Sequence, residues 1–365
     1  MKYPPAPKRL AVLVLFPALV FSAAAGDKVD RLVKSELQAH PIPGLALEII
    51  QNGKCVKQAG YGLANLEWQT PVTPETVFEI GSMTKQFTAA AILMLAEEGK
   101  LSVDDKISRH LTNTPEAWKD ITIRHLLTHT SGITNYTVLD GFELRQHMTQ
   151  ARFIQKTGSY PLNFQPGEKW VYCNSGFNLL GYIIENVSGV DYWQFLRQRI
   201  FLPLGMTATT NRDSRYPVRF RASGYETDPA GRYINRDYDL TDLFSAGTIL
   251  STVDDIARWN ASLDSKKLLT ADSEKAMWTP LTLNNGGTHG FSKGRTHSYG
   301  FGWFLDPVQG HRCVSHGGLT SGFSASIQRF PDDGLAIIVL TNSNEEDVAI
   351  QVSTDIAALY FADKK

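Results

Sequence analysis

Cysteine is scarce, with Cys55, Cys173 and Cys313 the only three in 365 residues. A disulfide framework is thereby excluded; one bridge is the most that could form, and the sequence does not choose among the three possible pairs. The expectation is buried free thiols. Excess charge is lacking too. Lys plus Arg number 36 against 37 Asp plus Glu, so no cationic field exists to hold a polyanion and no nucleic-acid partner is expected. No apolar run is long enough to span a bilayer, and there is no internal repeat, low-complexity tract or Pro/Gly/Ser-rich linker. What remains, 42% hydrophobic and 20% charged residues, is the composition of an ordinary packed protein.

The first 25 residues read as a signal peptide. Lys2, Lys8 and Arg9 give a basic start, Leu10 to Phe21 an apolar run broken by Pro17, and Ala23-Ala24-Ala25 a small-residue cleavage site. The expectation is an exported chain, periplasmic or secreted, with no membrane contact after cleavage. Residues 26–365 then form one domain, a sheet region at about 26–80 and 295–365 and a mainly helical region at about 82–280.

The patterning supports that division. A helical segment from Asp27 to Ala39 precedes a strand at Leu45 to Ile50, a hairpin turn at Asn52-Gly53 and a returning strand at Cys55 to Ala59. Near the other end, Phe323 to Phe330 and Leu335 to Leu340 read as strands around the turn Pro331-Asp332-Asp333-Gly334, followed by a helix from Glu345 to Tyr360. Between them Phe87, Ala90, Ala91 and Met94 recur at helix spacing, as do Phe177, Leu180, Ile184 and Val187. Ser251 with Asp254 has the form of a capping box. Asn211 to Tyr238 and Leu283 to Gly300 read as long surface loops.

Three pieces can carry chemistry. The first is Ser82-Met83-Thr84-Lys85, where a strand-like Val77 to Ile80 turns at Gly81 into a helix. Residues three apart share a helix face, so the Lys85 amine can reach the Ser82 hydroxyl, and the helix N-terminus favours developing negative charge. A lone Ser-x-x-Lys is more often a cap followed by a solvated lysine. Here the apolar helix behind it buries the element, and a lysine on a buried helix needs a reason. The second piece is Tyr172-Cys173-Asn174, whose phenol and carboxamide can point the same way. A Tyr with an ordinary pKa near 10 needs about 4 kcal/mol of help to act as a base at neutral pH, part of which a nearby Lys85 cation can supply. Tyr233-Ile234-Asn235 has the same form but no buried element after it. The third piece is His316-Gly317-Gly318-Leu319, where two glycines let a ligand lie against a strand edge. A backbone N–H there, with that of Ser82, can form an oxyanion hole.

Taken in this order, the three pieces resemble the serine β-lactamase and penicillin-binding-protein superfamily, in particular its class C-like branch. The stretches Ile121 to Gly132, Pro203-Leu204-Gly205-Met206, Ser245-Ala246-Gly247 and Tyr299 to Trp303 are similar as well. The resemblance implies an α+β fold of the β-lactamase/transpeptidase-like kind, an antiparallel sheet flanked by helices with an inserted mainly helical region and the site between them. It implies Ser82 as nucleophile, Lys85 as its activating partner, Tyr172 as general base, Asn174 as a ligand for the substrate amide, and the backbone N–H groups of Ser82 and Leu319 as oxyanion donors. Substrate would also meet His316, Gly317 and Gly318. No cofactor and no metal are implied.

The chain departs from the family pattern in that third motif, carrying His316, Gly317 and Gly318 where β-lactamases of this branch carry Lys-Thr-Gly. An imidazole holds a carboxylate less firmly than an ammonium does, so the expectation is a peptidase, carboxypeptidase or esterase acting on a small-molecule or peptide amide or ester. The alternatives are a class C-like β-lactamase and, of another class, a non-catalytic penicillin-binding sensor or scaffold. Two further patterns are set aside. Gly290-Phe291-Ser292-Lys293-Gly294 matches the Gly-x-Ser-x-Gly elbow but lacks its strand and helix. His125 and His129, four apart, lack the Glu and third ligand of a zinc site and read as a structural pair.

Overall fold

The computed structural model describes residues 23–139, 147–213, 215–236, 241–292, 294–345 and 347–362. The expected signal peptide, up to residue 22, lies outside the described residues. Five helices frame the molecule: α1 (Ala23–Ala39), α2 (Thr84–Glu97), α3 (Asn174–Ser188), α4 (Val253–Ser265) and α5 (Val348–Ala362).

Both ends of the chain build one antiparallel sheet. β1 (Gly44–Gln51) and β2 (Lys54–Asn65) make the expected hairpin, with Asn52 and Gly53 both at positive φ as a tight two-residue turn demands. β3 (Thr70–Pro71) extends it. From the C-terminal end come β4 (Val314–Thr320), β5 (Phe323–Phe330) and β6 (Leu335–Thr341), and β6 pairs with β1 to give the order β4-β5-β6-β1-β2-β3.

Strand alternation sorts the side chains into two cores. Leu45, Leu47, Ile49, Ile337 and Val339 pack under α1 and α5 with Val29, Val33, Val352 and Ile356. Ala46, Ile50, Ile338 and Leu340 face the other way, into a larger core shared with α2, α3 and α4. A sheet covered on both faces favours apolar residues at most positions, which is why β6 reads as an unbroken hydrophobic run from Leu335 to Leu340 and β1 as one interrupted by Glu48, whose buried carboxylate accepts from Gln58 Nε2 at 2.9 Å.

Several expectations shift in detail. Thr252, not Ser251, caps α4 by accepting the Asp255 N–H at 3.1 Å, because Ser251 closes the short strand Ile249–Ser251 and its hydroxyl meets that of Thr209 at 2.8 Å. The two expected loops contain hairpins, Tyr225–Thr227 with Tyr233–Asn235 and Gly290–Ser292 with Arg295–His297. The second of these takes up the elbow-like Gly290 to Gly294, with no helix following, and the first leaves Tyr233, Ile234 and Asn235 exposed. All three cysteines are unpaired; Cys173 and Cys313 are buried, whereas Cys55 is exposed. Among the described residues no helix is long and apolar enough to cross a membrane.

Candidate active site

Helix α2 is buried on all sides from Thr84 to Leu95, so each polar side chain on it must find a partner or bear the cost of desolvation. Thr84 accepts the Ile249 N–H at 3.1 Å, Gln86 accepts the Trp259 indole N–H at 2.9 Å, and Thr88 donates to the Ser245 carbonyl at 2.7 Å. Ser82 precedes α2, in a one-turn 3-10 segment at Gly81–Met83, and is only half-buried. Lys85 is fully buried.

The Lys85 amine reaches three groups. Its Nζ lies 2.8 Å from Asn174 Oδ1, 2.8 Å from the Ala246 carbonyl oxygen and 3.0 Å from Ser82 Oγ. The first two only accept, so the amine donates to both. An ammonium would donate to all three groups; a neutral amine, with two N–H bonds and one lone pair, would donate to the two carbonyls and turn its lone pair to the Ser82 hydroxyl. Burial favours the neutral form: desolvation pushes Lys85 well below its ordinary value, against a smaller opposing pull from Cys173.

Tyr172 stands beside this pair, its ring centroid 4.8 Å from Lys85 Nζ. The phenol oxygen is buried with no partner in full hydrogen-bonding geometry, yet it is close enough to Ser82 for that hydroxyl to favour ionisation. Burial outweighs that help and raises Tyr172 above the usual phenol range. The phenol therefore keeps its proton in the resting site. Asn174, at the first position of α3, also donates to Thr137 Oγ1 at 3.4 Å.

Strand β4 closes the other side. Ser315 exchanges backbone hydrogen bonds with Phe304, away from β5, and alternation then turns the Leu319 N–H to that same free edge. The edge lies against the Gly81 turn. A methyl group on Gly81, whose φ is +51°, would stand 2.9 Å from the Leu319 nitrogen, and one on Gly318 would stand 3.2 Å from the Ser82 nitrogen and collide with the Ile80 carbonyl oxygen. The Ser82 and Leu319 amides thus border one spot, and the first turn of a helix leaves its N–H groups without internal partners. Such a spot suits an oxyanion.

The sequence expectations for this strand need correction. The glycines do not make room for a ligand. Gly318 admits the Ile80 backbone, and Gly317 faces Ile350 of α5. His316 is buried behind the site, with Nδ1 2.5 Å from the Gly317 carbonyl oxygen and Nε2 3.0 Å from the Tyr299 hydroxyl. The carbonyl only accepts, so Nδ1 carries the proton and Nε2 takes the Tyr299 O–H. Burial first, then Lys85, lowers His316 to about 3, which leaves it a neutral strut rather than a carboxylate ligand.

The residues lining the pocket are Ser82, Thr137, Asn174, Leu243, Ala246, Gly247, Leu319, Thr320 and Ser321. Thr320 went unnoticed in the sequence. It lies on the same strand face as His316 and Gly318, and its buried Oγ1 has no partner among the described residues, so it is available to a substrate. The period-two spacing from His316 was the signal that could have found it. Ala246 and Thr137 carried no such signal. His125 and His129 do not act as a pair: the first accepts the Thr122 N–H at 3.2 Å and the second the Cys173 N–H at 3.1 Å. Among the described residues no group of three metal-ligating side chains occurs.

A hydroxyl, a buried amine, two converging amides and a buried phenol are thus brought to one place, and comparison with known proteins gives the family. The beta-lactamase family model matches residues 29–360. The chain belongs to the beta-lactamase family. It is 31% identical over 328 residues to penicillin-binding protein 4* of Bacillus subtilis, covering 85% of this chain and 70% of that one. It is 30% identical to protein flp of Staphylococcus aureus, covering 88% of this chain and 64% of flp, so it spans less than two thirds of that relative. Among solved structures, the octameric penicillin-binding protein homologue from Pyrococcus abyssi superposes with a TM-score of 0.79 at 28% identity, over 92% of this chain and 77% of that one. The fold of this beta-lactamase family member is thus the β-lactamase/transpeptidase-like α+β fold that the three motifs imply.

Proposed function

We propose that this protein is a serine hydrolase that works after export, forms an acyl-enzyme at Ser82 and hydrolyses an uncharged ester or amide, in the manner of a peptidase or esterase. The observation that carries this reading is the full burial of Lys85 with its Nζ 3.0 Å from Ser82 Oγ, since desolvation favours a neutral amine whose lone pair can face that hydroxyl. Lys85 then takes the first proton, rather than Tyr172, since burial depresses the amine and raises the phenol. Ser82 Oγ attacks the substrate carbonyl, and the oxyanion is held by the Ser82 and Leu319 amides. Tyr172, still protonated, hands its proton to the leaving group and regains one from Lys85. Water then attacks the acyl carbon as Tyr172 takes the water's proton and passes its own to Lys85, and collapse of the tetrahedral intermediate frees Ser82 Oγ, which regains its proton from Lys85.

The neutral, fully engaged His316 supports an uncharged substrate, because this strand position offers no cation to a carboxylate. Turnover of activated esters, D-amino-acid peptides and amides, and β-lactams by wild type and Ser82→Ala tests the proposal. Ester or peptide turnover should exceed β-lactam turnover and vanish in Ser82→Ala. A reversed ranking would make the protein a β-lactamase, and acylation without release would make it a penicillin-binding sensor.

A further inference from the structure

His129 spends a difficult conformation on its place in the fold. It comes just after the short helix Ile123–Leu127 at φ +59°, a left-handed backbone that non-glycine residues seldom adopt and that clusters at functional sites. From there it holds the chain on both sides of Tyr172. Its carbonyl accepts the Val171 N–H at 3.0 Å, and its Nδ1 accepts the Cys173 N–H at 3.1 Å. Its ring lies on the Tyr172 ring, centroids 4.3 Å apart, and is backed by Phe177 at 5.1 Å and Tyr299 at 4.8 Å.

These partners fix the tautomer. An amide N–H only donates, so Nδ1 is the bare nitrogen and the proton sits on Nε2, which is buried without a partner among the described residues. That unpaired group argues against plain packing, since a phenylalanine would fill the same volume without the desolvation cost. Burial keeps the ring neutral and so keeps the Nδ1 lone pair.

We infer that His129 is a positioning residue for Tyr172, a clamp on the backbone either side of it and a ring packed against the phenol ring at a tilt of 39°, which together aim the phenol at Ser82 and Lys85. The inference rests on the reading of Tyr172 as the proton shuttle. Its consequence is kinetic: loss of the clamp loosens the phenol by a fraction of its length, and a misplacement of about 1 Å costs up to about 100-fold in rate.

The test is a mutant cycle on the full chain with an activated ester as substrate. His129→Phe keeps the ring and removes the Nδ1 acceptor. His129→Asn restores an acceptor for the Cys173 N–H and tolerates the left-handed backbone. His129→Phe should lower kcat about 10- to 100-fold with KM changed less than about 3-fold, and His129→Asn should recover most of it. In a Tyr172→Phe background the same substitutions should cost little more, because the residue they position no longer carries a proton. Circular dichroism and melting curves restrict the comparison to folded variants, and His129→Asn is the one built to stay folded. Additive losses in the double variants, or no rescue by a folded His129→Asn, would overturn the clamp. A slow Tyr172→Phe beside a fast His129→Phe would overturn the clamp alone, whereas wild-type kcat in Tyr172→Phe would overturn the shuttle reading and the clamp with it.

Discussion

Lys85 shows how a single side chain's surroundings set its chemistry. In water its amine would be charged across the working pH range and useless as a base. Buried on α2, it is driven toward the neutral form by desolvation. A base with a depressed pKa is competent above that pKa and lost below it. The kcat/KM profile should therefore rise with pH and reach its plateau well under 10.5, the ordinary lysine value. Lys85→Arg, always charged, should lose about 10²- to 10⁴-fold in kcat. A pH-rate study of the two proteins checks this, and a limb near 10.5 would contradict it. At this scale the sequence was legible where spacing reports geometry: Ser82 and Lys85 share a face because they are three apart. It was misleading at His316, where the residue type suggests a ligand but burial and two fixed partners make a strut. At Ala246 only the family resemblance of Ser245-Ala246-Gly247 gave a sign, because a backbone carbonyl leaves no mark in residue identity.

Between elements, the decisive contact is strand against turn. β4 is an edge strand, and its outer edge docks on the Gly81–Met83 segment rather than on another strand. The approach is close enough that Gly318 has no room for a side chain. Gly318→Ala should push β4 away from the Ser82 turn and separate the two amides. The expected loss is about 10²- to 10³-fold in kcat, the worth of one oxyanion donor, read by steady-state kinetics on protein shown to be folded. Unchanged kcat would place the oxyanion elsewhere. The strands themselves were readable because β1, β5 and β6 are bounded by turn residues at Asn52-Gly53 and Pro331 to Gly334. Their docking partners were not, because which edge faces which turn is decided by long-range packing. The Thr252 cap shows the same limit on a smaller scale: two neighbouring hydroxyl residues both suit the pattern, and the strand ending at Ser251 selects the second.

The whole molecule brings residues far apart in sequence to one place. Both chain ends form the sheet, the middle forms the helical region, and Ser82, Tyr172, Asn174 and Leu319 meet where the two adjoin. Composition established that such a core could be built, and the apolar run from Leu335 to Leu340 marked a strand within it. The convergence itself was visible only through the family resemblance, since no local pattern relates residue 85 to residue 246. If this convergence is catalytic, Ser82 is the residue that is acylated. Intact-mass and peptide-mapping measurement of wild type and Ser82→Ala, acid-quenched during reaction with an activated ester, reads that event itself. Wild type should gain the mass of one acyl group on the peptide that contains Ser82, and Ser82→Ala should gain none. An equal adduct on both proteins, or one mapped to another residue, would contradict it.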